Sequence, residues 1–192
     1  MKLFLKGSRC DTPKCGFERR DTPPGVQHFR RGKMTAYALQ LREKQKIKHY
    51  YGVLERQFRG YFKRAERTRG NTGDALMSLL ERRLDNVVHR LGWGNSRAQA
   101  RQLISHGHVT INGGKVDVPS YQLRTTDVIR VKNRPKSLQA VLGNTAENQH
   151  EVPDYLSATG DSVPEGRMVR VPQFEDVSIP VQIQLVIELC SK

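Results

Sequence analysis

Apolar residues recur at helical spacing through the first half of the chain. From Thr35 to Arg69 the pattern predicts one long helix, because at 100° per residue its apolar side chains fall within an arc of about 100°. A second apolar series predicts another helix, which Gly92 and Gly94 end. The two apolar faces are Tyr51, Leu54, Phe58, Tyr61, Phe62 and Ala65, and then Leu76, Leu79, Leu80, Leu84, Val87, Val88 and Leu91.

The pattern shortens and begins to alternate after residue 96. Ser96-Arg97-Ala98-Gln99 has the Ser-x-x-Gln form of a capping box, which predicts a helix that begins at Arg97 and stops near Gly107. The β-like runs 109–111 and 115–118 flank Asn112-Gly113-Gly114, a strong hairpin signal. Alternation over 127–131 predicts a further strand. This region therefore predicts one helix beside a small antiparallel sheet.

The remaining segments carry weaker patterns. Residues 7–35 are rich in Gly, Pro, Arg and Lys, which predicts an irregular chain. We expect a short helix over 137–142 and a strand over 168–171. The acidic, polar stretch 144–165 is expected to be a surface excursion. Residues 181–189 are too apolar throughout for the period to distinguish helix from strand.

Length and apolar runs limit the protein classes. The 192 residues allow one large domain or two small ones. No apolar run approaches the roughly 18 residues of a membrane span, and the apolar part of the first seven residues is too short for a signal peptide. We therefore expect neither membrane insertion nor secretion. The odd number of cysteines, 3, fits a reducing compartment better than a disulfide framework.

The charge is large and unevenly distributed. The formal net charge is +14, of which residues 1–70 carry +13 (19 basic, 6 acidic), residues 71–136 carry +6 (11 and 5) and residues 137–192 carry −5 (3 and 8). On the long predicted helix, cations lie opposite the aromatic face. This separation indicates a polyanionic partner, most often nucleic acid, with an anionic membrane surface or a merely soluble basic protein as alternatives. The cations of the helix are Arg56, Arg59, Lys63 and Arg67.

The block 96–132 carries the densest set of candidate contacts. Arg97 and Arg101 are one helical turn apart and are placed to reach a phosphate backbone while the helix packs on the sheet. His106, His108 and the hairpin add further donors. Such a unit suits recognition of RNA by its shape and its phosphates. The alternative is an ordinary α/β core with surface arginines.

Enzyme motifs are absent from the sequence. It contains no Gly-x-Ser-x-Gly, no Walker loop and no Gly-x-Gly-x-x-Gly. Asp74, Glu81 and Asp85 lie at near-helical spacing and could form a carboxylate cluster, but solvation or pairing with Arg82 and Arg83 explains them more simply. We expect no catalytic activity.

Longer segments resemble a known family. Residues 82–88, 96–108, 112–113 and 119–121 resemble the RNA-binding module of the small-subunit ribosomal protein S4 family of bacteria and organelles. Upstream, residues 37–46 and 51–59 are similar to the helical domain of that family, and so is the ending, 184–192. Alternatives are an RNA-modifying enzyme or a ribosome-associated accessory factor with the same module. The first needs a catalytic domain for which no room remains, and the aromatic, basic helix argues against the second.

The resemblance implies an α+β fold in which a small α/β RNA-binding module is inserted into a helical domain. We expect a basic irregular segment at 1–36, a helical domain at 37–72 that is completed by 166–192, and the module at 73–165. The apolar ending would otherwise lack a packing partner.

The resemblance also implies the function and the sites. It implies a cytoplasmic, structural constituent of the small ribosomal subunit that binds rRNA as a primary binder early in assembly. It places the protein among other small-subunit proteins beside the channel through which mRNA enters, where it influences decoding accuracy. We expect Arg30, Arg31 and Lys33 to contact mRNA. The expected rRNA contacts are Arg42, Lys44, Lys46, Arg56, Arg59, Lys63, Arg82, Arg83, Arg97, Arg101, His106, His108, Asn112, Lys115 and Tyr121.

Zinc is the one cofactor to consider. Many members of the family hold a structural zinc ion with two cysteine pairs, one of them upstream of a Leu-Phe-Leu-Lys segment. This chain begins almost at that segment, so Cys10 and Cys15 are half of such a set, with His28 as a candidate third ligand and no evident fourth. We expect either no bound metal or a reading frame that extends about fifteen residues upstream and encodes a second pair.

Overall fold

The structure is a computed structural model that describes residues 1–20, 22, 25, 33–147, 151–159 and 162–191. These residues form an α+β fold, as predicted. Short 3-10 helices occupy Gly7–Asp11 and Phe174–Asp176. The helices are α1 (Gly16–Arg19), α2 (Ala36–Tyr51), α3 (Glu55–Arg67), α4 (Thr72–Glu81), α5 (Leu84–Arg90), α6 (Arg97–Ser105), α7 (Pro135–Glu147) and α8 (Ile183–Cys190), and the strands are β1 (Val109–Ile111), β2 (Gly114–Lys115), β3 (Val128–Val131), β4 (Leu156–Thr159) and β5 (Glu165–Met168).

The single helix predicted from Thr35 to Arg69 is in fact two helices, α2 and α3. Gly52 ends α2 in the left-handed conformation (φ 62°), and the Val53 N–H donates to the Lys48 carbonyl at 2.9 Å. A glycine in this conformation commonly ends a helix and allows the chain to change direction. Leu54 then precedes α3 and is 79% exposed, so it leaves the predicted apolar face.

The second predicted helix is also divided, into α4 and α5. Arg83 between them is extended and forms an isolated antiparallel bridge with Gln122. The Leu84 N–H donates to the Tyr121 carbonyl at 2.9 Å. The apolar period continues across this break because both helices bury one face. The break is evident only from the pairing of Arg83 and Leu84 with Gln122 and Tyr121.

The first hydrophobic core lies among α2, α3, α4 and α8. The apolar C-terminal segment, which the sequence left open between helix and strand, is helix α8 and packs mainly on α2. The exposed cations of α3 lie opposite its buried aromatic residues. The buried side chains of this core are Ile47, Tyr50, Tyr51, Val53, Phe58, Tyr61, Phe62, Ala65, Leu76, Met77, Leu80, Ile179 and Val186.

The second core lies between α5, α6 and α7 and an antiparallel sheet of order β2-β1-β3-β5-β4. Helix α6 begins at Arg97 as predicted, because the Gln99 N–H donates to the Ser96 hydroxyl at 3.2 Å. The predicted hairpin is present, although β2 is only Gly114–Lys115. The buried side chains are Leu84, Val87, Val88, Leu91, Trp93, Ala100, Leu103, Ile104, Val109, Ile111, Leu123, Ile129, Val131, Val141, Tyr155, Leu156 and Met168.

The acidic stretch 144–165 is not a surface excursion throughout, which corrects the expectation. It begins with the end of α7 and includes β4, whose four residues pair with β5, and Tyr155 is fully buried. Strand β5 occupies 165–168 rather than 168–171. Its alternation is hard to recognise because one buried position is Gly166, where an added Cβ would lie 2.5 Å from the Leu91 side chain.

Two buried carboxylates, Glu81 and Asp85, join the two cores. The Glu81 carboxylate accepts hydrogen bonds from Tyr51 of the first core (2.5 Å) and Tyr155 of the second (2.8 Å). Asn86 donates to it at 2.6 Å and Arg90 at 3.3 Å. Burial alone would raise the pKa of Glu81, but the Arg90 charge and the phenol donors outweigh it and lower that pKa.

Asp85 makes a parallel connection. It pairs with Arg83 at 2.6 Å and with Arg101 at 2.9 Å, and Arg83 also donates to the Tyr61 hydroxyl at 2.9 Å. Glu81, Asp85 and the side chains bonded to them are called the junction network below. A buried charge is tolerated where its partners supply charge and hydrogen bonds, as they do at both carboxylates.

The unit boundaries differ from those predicted. Helix α4 packs in the first core, so the division falls between Glu81 and Leu84 rather than at 72/73. Strand β5 belongs to the sheet, so the return to the helical core begins after Met168 rather than at 166. The first twenty residues, predicted to be irregular, contain two short helical segments that bury Cys10 and Cys15.

Within the described ranges, none of the helices has the length and apolar character needed to cross a lipid bilayer.

Candidate nucleic-acid interface

Helix α3 presents a row of exposed cations, called the cationic stripe: Arg56, Arg59, Lys63 and Arg67. The helix buries Phe58, Tyr61, Phe62 and Ala65 on its other side, which fixes the rotation that exposes the cations. Among the described residues, Arg59 has an ion-pair partner, Glu55 at 3.0 Å. The stripe is therefore largely free to meet a polyanion.

The Glu55 carboxylate pairs with three cations at the bend between α2 and α3. Lys44 lies 2.6 Å, Lys48 2.8 Å and Arg59 3.0 Å from its carboxylate. Burial opposes ionisation, but these three donors together lower the pKa of Glu55 to about 2. Lys44, a predicted RNA contact, is thus held by a carboxylate in the free protein.

The other two predicted contacts on α2 differ from each other. Arg42 is exposed. Lys46 donates to Glu43 at 2.6 Å and to the Pro180 carbonyl at 3.3 Å, so it ties α2 to the segment before α8. Of the three cations predicted on α2, Arg42 is the most accessible to RNA.

Arg82 and Arg83 both bond to other parts of the protein. Arg82 is half-buried and donates from Nε to the Leu123 carbonyl at 2.9 Å. Arg83 is 1% exposed and directs its guanidinium to Asp85 and Tyr61. The burial of Arg83 contradicts the prediction that it contacts RNA, because its donors are satisfied inside the protein.

Arg97 and Arg101 also contact residues of the junction network. The Arg97 guanidinium carbon lies 3.7 Å from the Tyr50 ring centroid, and its Nε donates to Asn86 at 2.9 Å. Arg101 is paired with Asp85, although 41% of its side chain remains exposed. Both side chains of the predicted pair are therefore bonded within the protein, and their contact with RNA stays a prediction.

A second basic surface lies where α6 ends and β1 begins, and is called the hairpin cluster: His106, His108, Lys115, Lys132 and Arg134. Gly107 turns the chain there at φ 72°, and a Cβ on it would lie 3.0 Å from Lys115 Cε and 3.8 Å from Lys132 Nζ. The His106 and His108 rings are 6.3 Å apart. Burial, followed by the charges of His106, Lys132 and Arg134, lowers the pKa of His108, so this ring is neutral at pH 7 and bonds to the Ser137 hydroxyl at 2.8 Å.

Lys132 and Arg134 were missed by the sequence analysis. The Lys132 N–H donates to the His108 carbonyl at 2.8 Å, which brings the end of β3 beside the start of β1. The sequence contained the information needed to find them. Antiparallel pairing of the predicted strands 109–111 and 127–131 places the residues that follow 131 beside the residues that precede 109.

Asn112 and Tyr121, two further predicted contacts, have structural partners. The Asn112 side chain donates to Asp127 at 3.0 Å and accepts from the Val128 N–H at 2.9 Å, so it stabilises the hairpin. Tyr121 is partly buried against the second core. Asn112 is exposed as well as bonded within the protein, so its contact with RNA stays a prediction.

The predicted mRNA contacts fall mostly outside the described residues. Arg30 and Arg31 are among them, and so is His28, the candidate third zinc ligand. Lys33 is described and exposed, two residues before Thr35, whose hydroxyl caps α2.

The described residues do not provide a zinc site. A structural zinc ion needs four ligands, whereas no group of three or more His, Cys, Asp or Glu side chains in the described part of the chain is placed to hold a metal ion. Cys10 and Cys15 are both buried free thiols. Backbone donors of Glu18 and Phe17 lower the pKa of Cys15. The carboxylate cluster considered from the sequence does not form, since Asp74 is exposed while Glu81 and Asp85 have the junction partners given above.

Comparison with known proteins identifies the family to which the chain belongs. The profile of the ribosomal protein S4/S9 N-terminal domain matches residues 1–81, and that of the S4 domain matches residues 82–129. The small ribosomal subunit protein uS4 of Thermodesulfovibrio yellowstonii is 49% identical over 193 residues, which cover 100% of this chain and 92% of the relative. The chain belongs to the uS4 family.

Other members of the uS4 family give the same match along the whole chain. The small ribosomal subunit proteins uS4 of a Thermoanaerobacter species and of Clostridium tetani are 51% and 48% identical over 192 residues, with 100% of this chain and 92% of each relative covered. The family predicted from the sequence is confirmed. The two profiles meet at residues 81 and 82, where the junction network joins the two cores.

Proposed function

We propose that the protein is a structural constituent of the small ribosomal subunit that binds the subunit's rRNA through two basic surfaces, the cationic stripe and the hairpin cluster. Membership of the uS4 family supports the ribosomal role. The observation that carries the RNA-binding role is that each core presents its own exposed group of cations while buried ion pairs join the cores. Two basic surfaces on cores that are bonded together suit recognition of a folded RNA by phosphate position and shape.

The two surfaces contribute differently. The cationic stripe supplies long, exposed side chains for phosphates, which give sequence-independent affinity. The hairpin cluster adds a neutral imidazole, His108, beside the exposed side chains of His106, Lys115 and Arg134. Lys44 and Lys48 are held by Glu55, so RNA phosphates compete with one carboxylate for them.

Membership of the uS4 family also supports a proposal about the place of the protein in the ribosome. We infer that the protein is cytoplasmic, binds rRNA early in assembly as a primary binder, contacts neighbouring small-subunit proteins, and lies beside the channel through which mRNA enters, where it influences decoding accuracy. Arg30, Arg31 and Lys33 are proposed to contact mRNA phosphates there. A non-catalytic role is consistent with the use of Glu81 and Asp85 as structural groups.

The test is a salt titration of binding to a transcript of small-subunit rRNA. The wild-type protein is expected to lose affinity steeply as salt rises. The triple variant R56A/K63A/R67A is expected to reduce the slope of log K against log salt by about 2–3, because about one counterion is released for each phosphate contact.

The matched control is R130A/R167A/R170A, which removes the same charge from arginines that are paired with Glu165 or Asp176. It should change the slope by less than one. Equal slopes for the two triple variants, a salt-insensitive titration, or equal affinity for duplex DNA would contradict the proposed function.

A further inference from the structure

A cavity of about 540 Å³ lies where the N-terminal residues meet the end of α5 and the segment before α8. This volume is within the range of small-molecule sites, about 300–1,000 Å³. Its lining combines apolar and aromatic side chains with cations. The residues used below are Lys2, Phe4, Tyr50, Arg90 and Arg97.

Two guanidinium groups of this lining have donors to spare. Within the described part of the chain, Arg90 Nε and Arg97 Nη2 are buried and have no hydrogen-bond partner. Arg90 Nη2 donates to Glu81 and to the Asp176 carbonyl, and Arg97 Nε donates to Asn86. A buried donor without a partner destabilises the protein, so an oxygen-rich ligand that supplies acceptors would be favoured here.

The aromatic side of the cavity is unusual at Phe4. This residue has a φ of 50°, a left-handed conformation that a bulky side chain rarely adopts, and it is 53% exposed. Lys2 Nζ lies 4.9 Å from the ring centroid. Tyr50 lies beneath the Arg97 guanidinium. Flat rings beside cations are the surfaces on which unpaired bases stack.

The charges of the lining favour a nucleotide over a bare anion. Lys2 is already paired with Glu18 at 2.6 Å and Arg90 with Glu81 at 3.3 Å, and Asp11 and Glu151 also line the cavity. A phosphate alone would therefore meet little net positive charge, whereas a nucleotide adds the stacking of its base and the acceptor oxygens of base and ribose.

We propose that this cavity binds one unpaired ribonucleotide of the bound RNA. Phe4 stacks on the base, and Arg90 and Arg97 donate to the oxygens of the nucleotide. The inference rests on the proposed RNA binding, because the RNA supplies the nucleotide.

The experiment is a titration of the isotopically labelled full chain, followed by NMR, with adenosine 5′-monophosphate, adenosine and inorganic phosphate. The nucleotide is expected to shift the signals of Phe4 and Tyr50 and to bind more tightly than either of its parts. F4A should weaken binding about fivefold or more, the loss that corresponds to one stacked base.

F17A is the matched control, since Phe17 is also an exposed aromatic residue (45%) but lies on α1 outside the cavity. It should leave the affinity unchanged. Absence of shifts at the cavity, equal shifts with inorganic phosphate, or an F4A affinity equal to that of wild type would overturn the inference. If the wild-type chain still binds rRNA with a steep salt dependence in that case, the inference alone fails and the proposed function stands.

Discussion

At the scale of single residues, the junction carboxylates show how a charge can be buried without becoming a catalytic group. Glu81 is fully buried, yet every donor around it is oriented by one of the two cores. Its partners Tyr51 and Tyr155 are both held protonated, since burial and the neighbouring carboxylate raise the pKa of each phenol. Both oxygens of the Glu81 carboxylate accept hydrogen bonds from within the protein, so this side chain has a structural role.

Removal of Glu81 should therefore be severe. We expect E81A to lower the free energy of unfolding by about 3–5 kcal/mol, because Arg90 would be left as a buried charge without its partner. Y155F removes one hydrogen bond to the carboxylate and should lower it by about 1.5–3 kcal/mol. Urea unfolding at pH 7 measures both, and an E81A effect smaller than that of Y155F would contradict this account.

Glu55 should give stability a defined pH dependence. Its pKa falls from an ordinary value of 4.5 to about 2 in the folded protein, so its pairing contributes fully above about pH 5. The contribution is lost as pH falls through the folded value. We expect the melting temperature of wild type to exceed that of E55Q at pH 7, and the difference to shrink between pH 5 and 2. A difference that stays constant over this range would show that the carboxylate charge is not responsible.

At the scale of elements, α2 and α6 end next to glycines whose left-handed backbone conformation other residues rarely adopt. Gly52 ends α2 at φ 62°, and Gly107 follows α6 at φ 72°. By contrast, Gly60 lies inside α3 with no atom within 4 Å of the position a Cβ would take. The same residue type is therefore required at the helix ends and costs stability inside the helix.

Two alanine variants test this distinction. G52A should lower the free energy of unfolding by about 1–2 kcal/mol, because alanine is strained in the left-handed conformation. G60A should raise it by about 0.5–1 kcal/mol, because alanine loses less backbone entropy in a helix. Thermal or urea unfolding measures both changes, and effects of the same sign would refute the argument.

At the scale of the whole molecule, the charge separation read from the sequence persists in the fold. The basic first seventy residues form α2 and α3 with their exposed stripe, and the middle of the chain forms the hairpin cluster. The acidic last third contributes β4, β5 and α8, which complete the two cores. The two surfaces proposed to bind RNA and the elements that complete the cores beneath them thus come from different parts of the chain.

The proposed mRNA contact is tested at this scale. R30A/R31A/K33A should leave assembly of the small subunit nearly intact, because the cationic stripe and the hairpin cluster remain. Translation of structured mRNAs should slow more than that of unstructured ones, since a cationic patch holds a passing single strand. Reconstituted translation with paired reporters measures this. Loss of assembly, or equal slowing of both reporters, would instead favour a contact with rRNA phosphates.

The sequence by itself determined the features that depend on neighbours a few residues away. The Ser96 cap, the Gly107 turn, the hairpin at Asn112 and the amphipathic character of α3 all follow from local hydrogen bonds and side-chain period, and each was predicted. The family, too, was evident from sequence alone, because long stretches of residues match it.

Only the tertiary structure decided which polar side chains face solvent. Arg83 has the charge of an RNA contact, but it is 1% exposed and bonds to Asp85 and to Tyr61, which lies 22 residues earlier in the chain. Tyr155 and Glu81 are 74 residues apart, and that bond makes part of an acidic stretch a buried element. A buried charge is stable only where the whole fold supplies its partner, so no local pattern of charges can separate a structural arginine from a free one.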